Sequence, residues 1–296
     1  MASPKTDQFT HYLDEIFERF SSACRWLDEL GFSYAKTRYG TYSRSFEDFK
    51  KFSRKEKALP DDTTEYKASF DNAYLEAHEI IRVHDSLKRV ANQSLHEQIK
   101  KIVSGKEFRG EKDQSRDFLF ELLIASRFLR AGFPTDLTGI CDVVVEIDSE
   151  TPLYVECKRI KSKKKISSNI SNANKQIVKR VADSIANRPV GMIALNLTDL
   201  VSAPKQLLPD SPPAATHMHQ LLAAQMISDH ASDFAVTVAD ETLGLLIETS
   251  MMLYLSQRSP VTGFVCSRHT NYVEYQDSEL FGSLGPLLSN QDITGA

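Results

Sequence analysis

The chain has 296 residues, 41% of them hydrophobic and 26% charged, with a formal net charge of −4. That is enough apolar mass for a packed core, while apolar runs such as LGLLIETSMMLYL at 243–255 stop well short of the roughly 18 residues needed to span a bilayer. The first residues lack a basic start followed by an apolar run, so the reading is a cytoplasmic protein with no secretory leader and no membrane partner. Cys24, Cys141, Cys157 and Cys266 show no CxxC spacing, which argues against a disulfide framework and a structural zinc site.

In chain order, residues 1–110 read as a helical N-terminal region and 111–296 as an α/β domain. Phe9, Leu13, Phe17, Phe20, Cys24 and Leu27 recur at three and four, predicting a first helix. SRSFEDFKKFSRKEKALPDDTT at 43–64 reads as a charged linker, with Pro60–Thr63 as a turn or helix entry. A second long helix is expected from Glu65 to Val103, with Tyr74, His78, Ile81 and Leu87 near one face. The glycines and charges of 105–115 mark the boundary.

RDFLFELLIASRFLRAGF reads as a buried helix that Gly132 ends. A short strand near PTDL comes next. DVVVEID and LYVECKRI then form a hairpin over SETP. SNANKQIVKRVADSIANR is a helix with Ser or Asn as cap, and VGMIALNL a further strand. Residues 203–215 are a proline-rich loop, MHQLLAAQMISDH is a helix, and LGLLIE and VTGFVCS are late strands.

Leu153, Tyr154 and Val155 begin a buried strand, after which Glu156 and Lys158 share one face. Asp142 opens the partner strand; its separation from Glu156 predicts that the two meet only if the pairing register is offset. Glu121 stands in the preceding helix, beside the stripe of Phe118, Leu122, Ala125 and Leu129. Paired carboxylates suit a hard divalent cation such as Mg²⁺ (or Mn²⁺), which polarises a phosphate and activates water. Asp142, Glu156 and the Cys157 carbonyl are its candidate ligands, with Glu121 as an added or supporting one. Lys158 would hold the attacking water or offset charge developing on the phosphate. The bland alternatives are a cross-strand ion pair for Glu156 and Lys158, a turn-capping Asp142, and a pairing of Glu121 with Arg116 or Arg127.

Glu121, Asp142 and Glu156-Cys157-Lys158 resemble the PD-(D/E)xK signature of the restriction-endonuclease-like nucleases, over roughly the middle third of the chain. Cys141 stands where the signature has proline. The resemblance implies a core of helix, three-stranded meander, helix and strand, in a mixed central sheet flanked by helices. It also implies Mg²⁺-dependent phosphodiester cleavage, usually of DNA, and adds Gln176 from the helix after the ExK strand as a residue facing the site.

From Lys158 to Arg188 there are ten Lys or Arg residues and one acid, Asp183. Arg159, Lys161, Lys163, Lys164, Lys165, Lys175 and Lys179 are the candidate nucleic-acid contacts, because a positive field beside the acids is what a polyanion requires. DNA is the expected partner, with RNA left open, and a two-fold homodimer would supply two cuts in a duplex. His217 and His219 read as surface histidines, and no P-loop or GxSxG motif occurs. Two rival readings are a non-catalytic nucleic-acid-binding module of the same fold, and an interaction protein working through its N-terminal helices.

Overall fold

The computed structural model describes residues 12–58, 63–90, 93–107, 113–137, 139, 141–202, 208–256, 263–289 and 291. Helix α1 (Leu13–Glu29) buries Ile16, Phe17, Phe20, Ala23, Cys24 and Leu27 as one stripe; Phe9 falls outside the described residues. The stretch expected as a charged linker is largely helix instead, because α2 (Arg38–Ser53) runs through it. Tyr39, Tyr42, Phe46 and Phe49 recur at three and four and are buried. Phe46 stacks on Phe17 and Phe49 on Phe70, and this apolar face fixes the helix while the charges stay outside. Residues 59–62, including the expected turn at Pro60, lie outside the described residues.

The helix expected over 65–103 is two helices, α3 (Thr63–Leu87) and α4 (Gln93–Val103). They separate at a turn in which the Val90 N–H donates to the Leu87 carbonyl; neither glycine nor proline marks it. Helix α5 (Gln114–Arg130) is capped by Asp113, whose carboxylate accepts from the Ser115 N–H at 3.1 Å. It ends as expected at Gly132, with φ +89°, where the Phe133 N–H closes onto the Phe128 carbonyl.

Six strands follow: β1 (Thr135–Asp136), β2 (Val143–Glu146), β3 (Pro152–Arg159), β4 (Val190–Asn196), β5 (Thr242–Tyr254) and β6 (Phe264–Glu274). They form one sheet in chain order, antiparallel at both sides and parallel through β3, β4 and β5. Helix α6 (Ile166–Ala182) links β3 to β4. It starts earlier than the Ser/Asn cap predicted, from a 3₁₀ turn at Lys163–Lys165, because Ile166 and Ile170 already bury against the sheet. Helix α7 (Pro212–Asp229) begins inside the stretch expected as loop, with Ser211 as cap and prolines in its first positions. Helices α8 (Ala231–Phe234) and α9 (Glu279–Ser289) complete the mixed α/β arrangement.

The sheet is buried on both faces. One face packs on α1–α5 and α9, the other on α6–α8, which explains the nearly unbroken apolar run of β5. The first core is continuous from Ile16 through Phe128 to Leu246, so the N-terminal helices and the sheet share one interior. Within it Glu248 on β5 is fully buried and accepts from Arg127 at 2.5 and 3.0 Å, with Arg82 at 3.9 Å. Burial would raise its carboxyl, but Arg127, Arg268 and Arg82 push it down to about 2. No helix among the described residues is long and apolar enough to cross a membrane.

Candidate active site

The β2–β3 hairpin assembles the acids. Val143 pairs with Val155 and Glu146 with Pro152, and the same register continued by one residue sets Asp142 opposite Glu156. The offset predicted from the spacing is therefore not needed, since the pair lies symmetrically about Ser149. Just outside β2, Asp142 Oδ2 accepts from the Cys157 N–H at 2.7 Å. The Cys141 thiol donates to the carbonyls of Val143 and Val155 and closes this end of the hairpin.

Along β3, Leu153, Val155 and Cys157 face the α5 side with Met192 and Ala194, while Glu156 and Lys158 align with Ile193 and Leu195 on the α6 side. Glu156 is thereby held where water is scarce: its side chain is 1% exposed. Lys158 reaches back between the carboxylates, with Nζ 3.1 Å from Glu156 Oε2 and 3.5 Å from Asp142 Oδ2. Burial, then the charge of Asp142, pushes the Glu156 carboxyl up to about 6. Burial pulls the Lys158 ammonium down, yet Asp142 and Glu156 together hold it above its ordinary value. One lysine therefore faces two carboxylates, one of them almost dry.

Glu121 approaches from α5. Its carboxyl is pushed up to about 8 by burial and by the charge of Asp142, with Lys101 and Lys158 opposing. Arg116 and Arg127, its expected alternative partners, are engaged elsewhere, Arg116 with Glu76 and Asp113 and Arg127 with Glu248. One turn earlier on α5, Asp117 stands 3.5 Å from Lys161 and 3.8 Å from Arg159. Sequence reading passed over Asp117 and Lys101. The four-residue spacing of Asp117 and Glu121 was a visible signal for the first; nothing along the chain pointed to the second.

The basic residues divide. Lys163, Lys164 and Lys165 are exposed in the turn that follows β3, and Lys175 and Lys179 are exposed one turn apart on α6. Arg159 differs from the expected surface cation: its side chain is 4% exposed and bonds Asp199 at 2.6 Å. Gln176 is exposed on α6, about 15 Å along the helix axis from Ile166. Its neighbour Asn174 is tied to Thr242 at the start of β5, and the hydrogen-bond partners of Asp142 and Glu156 are Cys157 and Lys158. His217 is exposed as expected, but His219 is fully buried. Its Nδ1 lies 2.8 Å from Ser267 Oγ, and burial, with His269 nearby, pushes it down to about 3.

The donors fit a hard cation. Asp142 and Glu156 offer carboxylate oxygens, and the Cys157 carbonyl points the same way as its N–H, toward Asp142. Among the described residues no three His, Cys, Asp or Glu side chains gather into a metal cage. A cation here would rest on the two carboxylates and the carbonyl, with water completing its shell. The buried carboxyl of Glu156, with only Lys158 to offset it and Asp142, is the observation that a cation would answer.

No protein-family model matches the chain, and no curated protein or solved structure matches it either.

Proposed function

We propose that the chain is a divalent-cation-dependent nuclease of the PD-(D/E)xK kind, hydrolysing phosphodiester bonds in DNA. The observation that carries the reading is the meeting of Asp142, Glu156 and Lys158 at the end of one hairpin, with Glu156 nearly dry and a single lysine between two acids. The order α5, the antiparallel run β1–β2–β3, α6 and then β4 parallel to β3 supports it, since the resemblance implies elements in that order. The exposed Lys163–Lys165 turn at the same end of β3 supports a polyanionic substrate.

In this reading Asp142, Glu156 and the Cys157 carbonyl hold Mg²⁺ or Mn²⁺, which when bound polarises the phosphate and makes hydroxide available from water. The Cys157 N–H fixes one Asp142 oxygen and so sets the carboxylate's orientation. Lys158, 3.1 Å from Glu156 and 3.5 Å from Asp142, would donate to the attacking water or to a phosphate oxygen as negative charge builds there. Glu121, whose carboxyl burial and the charge of Asp142 push up to about 8, would stand beside the cation as a supporting group.

The test is cleavage of plasmid DNA by purified protein with Mg²⁺ or Mn²⁺. Asp142→Asn, Glu156→Gln and Lys158→Ala should each lower the rate by at least about 100-fold, the scale seen for loss of a charge-stabilising group, with an unchanged circular-dichroism spectrum. Full activity in Asp142→Asn or Lys158→Ala would sink the mechanism. Metal-independent DNA binding without cleavage by the wild type would favour the non-catalytic module.

A further inference from the structure

Two lysines from different parts of the chain bracket the start of α5. Lys161, just past β3, directs its ammonium at Asp117, 3.5 Å away. Lys101, in the last turn of α4, lies 4.4 Å above the ring of Phe118. Asp117 and Phe118 precede Glu121 by about one helical turn and point about 100° apart around the helix, so the two ammonium groups reach the turn that leads into Glu121 from different directions. The carboxyl of Glu121 feels Lys101 as well as Lys158.

Lys101 is exposed, and no ion pair engages it among the described residues. The ring beneath it holds the ammonium in place without neutralising it. An acidic floor of Asp142 and Glu156 repels a polyanion unless cations flank it, and the residues after β3 supply one flank. We propose that Lys101 binds a substrate phosphate, making α4 the second wall of a cleft whose first wall is Lys161 and Lys163–Lys165. The N-terminal helices thereby take part in substrate binding. This rests on the nuclease reading and adds a contact, outside the ExK motif, to it.

Binding is measured in the full chain carrying Asp142→Asn, to prevent cleavage, with a short fluorescent DNA duplex over a series of salt concentrations. Lys101→Glu should weaken binding by about tenfold, and Lys101→Ala should lower the slope of log affinity against log salt by about 0.9, one phosphate contact. Lys101→Arg should restore both, and the melting temperature should stay where it was. The matched control is Lys67, which is exposed and also lies over a ring, that of Tyr254; Lys67→Ala should leave affinity and slope alone. Equal losses from Lys67→Ala would reduce the effect to bulk charge and overturn the proposal. An unchanged slope in Lys101→Ala, with weakening in Lys164→Ala, would overturn the second wall and leave the nuclease reading standing. If the parent protein binds no DNA, both fall together.

Discussion

Glu248 and Glu156 are both buried carboxylates on neighbouring parts of one sheet, and their surroundings drive them in opposite directions. Glu248 faces the α5 side among Arg127, Arg82 and Arg268, and is pushed down to about 2. Glu156 faces the α6 side with a second carboxylate and one lysine, and is pushed up to about 6. Burial disfavours charge at both; the count of opposing charges decides which way each moves. Surplus positive charge locks Glu248 to α3 and α5 as a structural fastening. The deficit around Glu156 leaves two carboxylates against one lysine, and the proposed cation would answer it.

The same acid-to-amide replacement should separate the two. Glu248→Gln leaves buried guanidinium groups unpaired and should cost about 3–5 kcal/mol of stability, the range for breaking a buried ion pair. Asp142→Asn removes a like charge from beside Glu156, so denaturant midpoints should show no comparable loss. An equal loss from both would erase the distinction. Divalent cations give the next largest effect. At a concentration about 100 times the dissociation constant, Mn²⁺ should stabilise the wild type by about 2.7 kcal/mol, and Asp142→Asn should lose that gain in a thermal melt.

Proton linkage supplies a smaller, signed contrast. Glu156 and Glu121 hold protons more tightly in the folded chain, with carboxyls raised from 4.5 to about 6 and about 8. Their contribution therefore favours folding at low pH and is lost as pH rises through that window. Glu248, lowered from 4.5 to about 2, contributes stability above 4.5 that is lost as pH falls toward 2. Difference curves of melting temperature against pH, Asp142→Asn minus wild type, should rise between about pH 4.5 and 8; a flat difference would contradict the assigned cause. The smallest effect is expected at the exposed lysines: Lys164→Ala should weaken DNA binding only a few-fold at moderate salt, as one phosphate contact does.

The hairpin was legible because an apolar run followed by Glu156 and Lys158 has a period only a strand satisfies, and because SETP interrupts it at the right place. Glu121 was legible as a carboxylate in an otherwise apolar helix, and Gly132 as its end. What misled was position along an axis. The burial of Ile166 and Ile170 starts α6 early, before the Ser and Asn residues read as its cap. Composition also hid packing, since the charges of α2 sit on the outside of a helix whose aromatic stripe is buried. Arg159 and His219 were assigned to the surface because sequence does not reveal that Asp199 and Ser267 wait for them in space. Lys101 escaped for the same reason, being distant in sequence from everything it flanks.

The thiol that closes the hairpin has a practical consequence. Cys141 is buried and pushed up to about 12 by its burial and by Glu156, and Cys157 is also raised, by burial and by Asp142. Neither yields the thiolate that alkylating reagents attack while the hairpin stays shut. Their labelling rates are therefore a clock for opening at the Asp142 end, one that needs no engineered probe.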